Sequence, residues 1–154
     1  MVNKFLKLPF LFGIGGTVYY LTEIMWRGYS HWSMFVLSGV CFIIIDMLNQ
    51  AWKNMRSLIF LIVLCTLIIT VLEFFTGLIV NLWLGLGVWD YSKMPFNLMG
   101  QICLFFSLLW LLVSCFAVLV DDLLCWFFFH DAPAYAAHLS VSADQSDQLE
   151  TFQQ

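Results

Sequence analysis

Residues 57–83 read SLIFLIVLCTLIITVLEFFTGLIVNLW, an apolar run that carries one carboxylate, Glu73. A helix needs about 20 apolar residues to cross the hydrocarbon core of a bilayer. This run is long enough to cross it with some tilt. The stretch therefore predicts a transmembrane helix with an ionisable side chain inside it.

Three further apolar runs stand on either side of this stretch. They cover roughly residues 5–25, 32–48 and 97–120. Each is rich in Leu, Ile, Val and Phe and has few charges, as is typical of a membrane span. The sequence predicts an all-α polytopic membrane protein with about four transmembrane helices.

The end of the chain departs from this pattern. Asp121 and Asp122 interrupt the last apolar run, which resumes over residues 123–129. Because that piece is too short to cross a bilayer, we expect a short interfacial C-terminal helix there. The polar, small-residue-rich segment 131–154 is expected to be a disordered tail. Residues 1–130 then form the transmembrane helical domain.

The composition excludes several classes of protein. Hydrophobic residues make up 62% of the chain and charged residues 10%, whereas soluble domains carry about 25% charged residues. The sequence shows no basic patch, so we expect no nucleic-acid partner. The five cysteines are odd in number and lack C-x-x-C spacing. This argues against a disulfide framework or a zinc site, and we expect neither a metal nor a cofactor.

The basic residues predict how the helices are oriented. With four spans, one side of the membrane carries Lys4, Lys7, Lys53 and Arg56, and the other carries Arg27 and Lys93. Loops rich in Lys and Arg stay in the cytoplasm. We therefore expect a multi-pass protein of the cell (inner) membrane with both termini cytoplasmic.

Carboxylates near or within the spans are the most informative polar residues. A charge at the centre of a membrane helix costs about 2.5–3.5 kcal/mol on insertion scales, so ionisable residues there mark functional candidates. Counting along the spans places Glu23, Glu73 and Asp90 on the outer side of the membrane, together with Arg27 and His31. We expect these five residues to converge.

Helical spacing refines this expectation. Glu23 and Arg27 are four residues apart, so they share a helix face and can pair. Glu73, Gly77 and Asn81 also repeat every four residues, and a glycine beside a carboxylate lets another helix approach closely. Two interpretations of each acid remain open: a polar site between helices, or a contact that only holds helices together.

A fourth carboxylate, Asp46, is predicted at the inner end of the second span, close to Asp121 and Asp122. A carboxylate near a helix end can reach the interface or pair with a nearby cation. We favour such a structural role for Asp46, which could reach the interface or pair with Lys53.

The loop after the third span, residues 89–97, reads WDYSKMPFN. Asp90 and Ser92 are residue types that bond local backbone in turns, and Pro95 disfavours helix at the residue before it. The loop can be a rigid turn anchored at the interface. It can equally be a lid over an outer cavity, with Asp90 facing inward.

Three stretches together resemble a known family. They read EIMWRGYSHWS over residues 23–33, EFFTGLIVN over 73–81, and VWDYS, PFN and GQIC within 88–103. In this combination they are similar to the ABC-transporter permease-like family of type IV, the CmpB-like group. The resemblance marks as motif positions Glu23, Arg27, Gly28, His31, Glu73, Gly77, Asn81, Trp89, Asp90, Tyr91, Ser92, Pro95, Asn97 and Gly100.

The resemblance implies a permease-like or accessory transport subunit. The sequence contains no Walker A motif, so ATP hydrolysis would come from another protein. We expect partners in the lipid bilayer: other membrane subunits or a second copy of the chain. An outer-leaflet polar pocket would bind a small solute through Glu23, Arg27, His31, Glu73, Asn81, Asp90 and Asn97.

Two other functions remain open. The chain could be a membrane-embedded enzyme acting on a lipid headgroup or isoprenoid, with Glu73 or Asp90 as general base and His31 as the assisting acid. No catalytic or metal motif supports that chemistry, so we weigh against an enzyme. The chain could also be a non-catalytic structural subunit of a membrane complex.

Overall fold

The computed structural model describes residues 4–52 and 57–129, which form four long helices and one small hairpin. All four helices, with their extensions, are long and apolar enough to cross a membrane. The predicted all-α polytopic fold is confirmed. The helices are α1, Lys4–Arg27; α2, Trp32–Trp52; α3, Leu58–Gly77; and α4, Leu104–Leu124.

Two of the helices continue beyond these bounds as π-helix. α3 runs on through Leu78–Trp83, and α4 runs on through Cys125–Phe129. The residues that we predicted as a separate interfacial helix therefore prolong the fourth span. The helix does not break at Asp121 and Asp122, because both are buried against other helices and keep their hydrogen-bond partners. The predicted tail, residues 131–154, lies outside the described residues.

The start of the fourth span also differs from the prediction, which began it at residue 97. Strands β1, Asn97–Leu98, and β2, Ile102–Cys103, pair antiparallel ahead of α4. Met99 and Gly100 take positive φ angles of 52° and 70° between the strands. This left-handed turn needs a glycine, and it returns the chain to the bundle before the helix begins.

The helices alternate in direction, so the bundle has two distinct ends. At the terminal end, the start of α1 meets the ends of α2 and α4. At the loop end, the end of α1 meets the loop that follows α3. The core lies among α2, α3 and α4, whereas α1 packs chiefly on α2. The buried core residues are Cys41, Ile45, Leu61, Cys65, Ile69 and Val118.

Glycines allow α1 and α2 to approach closely. A Cβ atom built on Gly39 would lie 2.7 Å from the ring of Phe12 and 2.9 Å from its carbonyl oxygen. A Cβ atom on Gly16 would lie 2.8 Å from Phe35. Close packing of this kind is what holds helices together in lipid, where apolar side chains gain little by leaving the acyl chains.

Gly39→Ala is expected to lower the free energy of unfolding by about 1–3 kcal/mol, the usual cost of overpacking. The added methyl group meets the backbone of α1, which cannot rotate aside. Unfolding of the purified protein by sodium dodecyl sulfate measures the loss. Gly13→Ala is the control, since nothing lies within 4 Å of its Cβ position. Equal losses in the two variants would contradict the close approach.

Candidate functional site

Glu73 is the most deeply buried of the predicted outer acids, with 2% of its surface exposed. The Trp110 indole donates to its Oε2 at 2.8 Å, and the Tyr91 hydroxyl donates to its Oε1 at 3.3 Å. The Tyr91 ring is in turn stacked on Phe106, with centroids 4.6 Å apart. Glu73 therefore joins α3, the loop and α4 through two uncharged donors. This geometry favours the interpretation in which the acid holds these elements together.

Gln101, at the turn of the hairpin, is the centre of a second buried network. Its carbonyl accepts from the Trp89 indole at 2.9 Å, and its side-chain Oε1 accepts from Asn81 Nδ2 at 2.9 Å. The other end of the Asn81 amide accepts from the backbone N–H of Val88 at 2.7 Å. Trp89 and Asn81 thus fix the loop and the hairpin against the π-helical end of α3.

Gly77 makes room for this network. A Cβ atom there would lie 2.6 Å from Gln101 Oε1 and 3.2 Å from the Trp89 ring. The close approach expected at Gly77 is therefore made by the hairpin and the loop. The spacing of Glu73, Gly77 and Asn81 does mark one packed face.

Asp90 is exposed and bonds within its own turn. Its Oδ1 accepts from the backbone N–H of Ser92 at 2.8 Å, and its Oδ2 accepts from the Ser92 hydroxyl at 2.9 Å. Both bonds lower the pKa of Asp90 below its usual value, and the bond from the backbone N–H has the larger effect. The ionised carboxylate stabilises the turn, and this stabilisation is lost as the pH falls through the lowered pKa. The geometry matches the rigid turn, and Asp90 does not contact Glu73.

Asn97 and Gly100 complete the loop. Asn97 Nδ2 donates to the Met94 carbonyl at 2.7 Å, and its Oδ1 accepts from the Gly100 N–H at 3.1 Å. The Tyr91 N–H donates to the Gly100 carbonyl at 2.8 Å. A Cβ atom on Gly100 would lie 2.9 Å from Asp90 Oδ1. Pro95 lies exposed in the same turn. These motif residues build the loop itself.

Glu23 and Arg27 form a separate group at the end of α1. Arg27 pairs with Glu23, as the four-residue spacing predicts, and Ser30 donates to the other Glu23 oxygen. Arg27 Nη1 also donates to the Val88 carbonyl at 3.2 Å, which ties α1 to the loop. Arg27 Nε is buried and has no hydrogen-bond partner among the described residues. Gly28 then ends the helix, with a φ of 81°.

His31 lies at the start of α2. Its Nδ1 is 2.8 Å from the Ser33 hydroxyl and accepts from the Ser33 N–H at 3.3 Å. The ring packs beside Trp32, with centroids 5.4 Å apart. His31 therefore satisfies the first turn of α2, which otherwise leaves backbone N–H groups unpaired.

The predicted outer residues thus form several groups that share a buried apolar cluster. This cluster contains Val80, Val88 and Trp89 and packs against Tyr19 and Tyr91. The Val88 carbonyl accepts a hydrogen bond from Arg27, the partner of Glu23, and the Tyr91 hydroxyl donates one to Glu73. The cluster therefore links the two glutamates without bringing them into contact. The described surface grooves lie elsewhere. The larger, of about 460 Å³, is lined by Leu6, Pro9, Phe10, Phe128 and Phe129.

Residues 1–142 match the family described as "Putative ABC-transporter type IV". The chain belongs to this family. The match confirms the family resemblance, and with the four apolar helices it makes the chain a transport-related, multi-pass membrane protein. No curated protein and no solved structure matches the chain.

Several residues that build the site in this ABC-transporter type IV member were missed by sequence reasoning. Gln101 lies in the GQIC stretch, but the sequence does not predict its hydrogen bonds. Trp110 lies within an apolar run and contributes to the prediction only as an apolar residue. A signal for Trp110 exists, because an indole N–H inside a membrane span needs a protein acceptor. Ser30 and Asn49 are similar polar residues near span ends.

The terminal end of the bundle contains another cluster of polar side chains. Asp46 pairs with Lys7 of α1, with Nζ and Oδ1 2.7 Å apart. The predicted partner Lys53 lies outside the described residues. Asp46 also lies near Asp121, as expected, and the Cys125 thiol is within reach of both carboxylates.

Glu73→Gln is expected to lower the free energy of unfolding by about 1–3 kcal/mol, because the amide leaves one of the two buried donors unpaired. Combined with Trp110→Phe, the two changes should show a coupling energy of about 0.5–3 kcal/mol in a double-mutant cycle. Denaturant unfolding in detergent measures both values.

Trp83→Phe is the matched control for this cycle, since the Trp83 side chain is 80% exposed. Its effect should add to that of Glu73→Gln within about 0.5 kcal/mol. Additivity between Glu73→Gln and Trp110→Phe would show that their hydrogen bond contributes nothing specific.

Proposed function

We propose that this ABC-transporter type IV member is an accessory membrane subunit of a transport complex. The loop end of its bundle would form one wall of a path for a small polar solute. Family membership supports the transport role. The sequence has no Walker A motif, so the proposal assigns ATP hydrolysis to a partner protein.

The hydrogen bonds of the polar side chains at the loop end support a wall completed by a partner. Glu73 and Asn81 use their polar atoms on protein groups, and Asp90 is bonded within its turn. Neither of the two described grooves is lined by these residues. The proposal therefore gives a solute path at this end a second surface, from another subunit or another copy of the chain.

Arg27 is the observation that carries the proposal. Its two terminal nitrogens are bonded to Glu23 and Val88, while its buried Nε has no partner among the described residues. A buried donor without a partner costs about 1–3 kcal/mol. A solute with an oxygen acceptor would remove that cost, and Glu23 and Ser30 hold the guanidinium in place for it. The proposed solute is therefore small, polar and oxygen-bearing.

Arg27→Lys tests this role, because lysine keeps the charge but lacks the Nε donor. The complex is purified through a tag on the full chain, and its ATP hydrolysis is measured with a panel of small carboxylates and amino acids. A hydrogen bond to a charged group is worth about 1.5–3 kcal/mol, so solute stimulation should weaken about 10- to 100-fold.

Lys93→Gln is the control, since this exposed loop residue lies outside the Arg27 group. It should leave the solute response unchanged. Unchanged stimulation in Arg27→Lys would remove the solute path from this proposal. A chain that carries no ATPase with it from native membranes would overturn the transport role.

The proposal also places both termini in the cytoplasm and the loop end outside. The distribution of Lys and Arg supports this orientation. Lys93→Cys should then react with a membrane-impermeant maleimide added to intact cells. The wild-type chain is the control, because four of its five cysteines are buried. Labelling only after the cells are opened would reverse the orientation.

A further inference from the structure

The terminal end contains a buried group of side chains that the proposed function does not use. Asp46 and Asn49 come from α2, and Asp121 and Cys125 come from the end of α4 and its π-helical extension. All four are at most 4% exposed. Charge buried in this way must be matched by ligands, cations or hydrogen bonds.

The spacing of the ligand atoms within this group is that of a metal site. Cys125 Sγ is 3.5 Å from Asp46 Oδ1 and 3.6 Å from Asp121 Oδ1. Ligand atoms from all three residues lie within 4.8 Å of one another. Bonds of about 2.0–2.3 Å in a tetrahedral zinc site place ligand atoms about 3.3–3.8 Å apart. Two of the three separations already fall in this range.

Asn49 gives a second, independent indication. Its Nδ2 donates to Asp121 at 2.9 Å and to Asp122 at 2.8 Å, so its amide group lies against both carboxylates. The Oδ1 of the same amide is buried and has no hydrogen-bond partner among the described residues. An amide oxygen without a donor is a natural ligand for a cation.

The charges of the group also favour a cation. Lys7 lies 2.7 Å from Asp46 and its charge also acts on Asp121, so one ammonium group serves two buried carboxylates. The hydrogen bonds described for Asp121 come from the Asn49 amide and the Cys125 thiol, which are uncharged. A second positive charge beside Asp121 would compensate its buried carboxylate.

We propose that this group binds a divalent transition-metal ion of the zinc type. Asp46, Asp121 and Cys125 each supply one ligand atom, and Asn49 Oδ1 supplies the fourth. The Cys125 thiol, whose sulfur lies within 3.6 Å of both carboxylates, loses its proton to solvent when sulfur binds the ion. The mixed oxygen and sulfur donors suit zinc or cobalt better than magnesium or calcium.

This site goes beyond the proposed transport role and does not depend on it. The sequence spacing could not indicate it, because its ligands come as one pair from α2 and one pair from the end of α4, and 72–79 residues separate any ligand of one pair from any ligand of the other. Metal motifs are read from several ligands that are close in sequence, and here each helix supplies only two, Asp46 with Asn49 and Asp121 with Cys125.

Cobalt(II) alone is the probe, added to the purified full-length chain in detergent. The wild-type protein should bind about one ion per chain, with release of one proton and a sulfur-to-cobalt absorption band in the near ultraviolet. Absence of the band in the folded wild-type protein would overturn the proposal, whatever the variants do.

Cys125→Ser should abolish the band and weaken binding about tenfold or more, as loss of a ligand requires. Cys115→Ser is the matched control on the same helix and should keep both. Binding that survives Cys125→Ser and Asp121→Asn unchanged would identify a surface ion only and would also overturn the proposal.

Lys7→Gln separates a metal site from a purely structural cluster. Removing the ammonium beside Asp46 removes its repulsion of an incoming cation, so cobalt affinity should rise. A cluster whose only role is packing gives no reason for tighter binding. Unchanged or weaker affinity in a folded Lys7→Gln protein would count against the assigned ligands.

Discussion

A polar group inside a membrane span must find its partner within the protein or in something that the protein binds, and this requirement organises the whole bundle. Apolar side chains gain little by exchanging lipid for each other, so they do not fix which helix faces which. Glu73 can be buried only where Trp110 and Tyr91 reach it. Asp121 likewise requires Asn49. These contacts set the positions of α2, α3, α4 and the loop more specifically than the apolar core does.

The features that sequence predicts are those controlled by local rules. Span number follows from the length of apolar runs, because the bilayer sets a minimum helix length. The Glu23–Arg27 pair follows from helical spacing, which places residues four apart on one face. The Asp90–Ser92 turn follows from residue types that form hydrogen bonds to nearby backbone. None of these requires knowledge of which helices are neighbours.

The remaining features depend on contacts that are distant in sequence. Trp110 is 37 residues from Glu73, and Asn49 is 72 residues from Asp121. Nothing in the periodicity of either helix names its partner. The mostly apolar residues of the hairpin at 97–103 predict helix. The left-handed turn at Gly100 decides its structure instead. The interfacial helix was predicted from an apparent break that partners in α2 remove.

The same requirement gives α1 a special position. It is the least buried span, and between its ends it relies on a glycine seam with α2. Each end is tied by a charged side chain: Lys7 to Asp46 at the terminal end, and Arg27 to the Val88 carbonyl at the loop end. A ligand that competes for either charge therefore acts on α1 before it disturbs the core. The groups that the two proposals use adjoin these ties, so the position of α1 depends on charged contacts at its ends and on glycine packing between them.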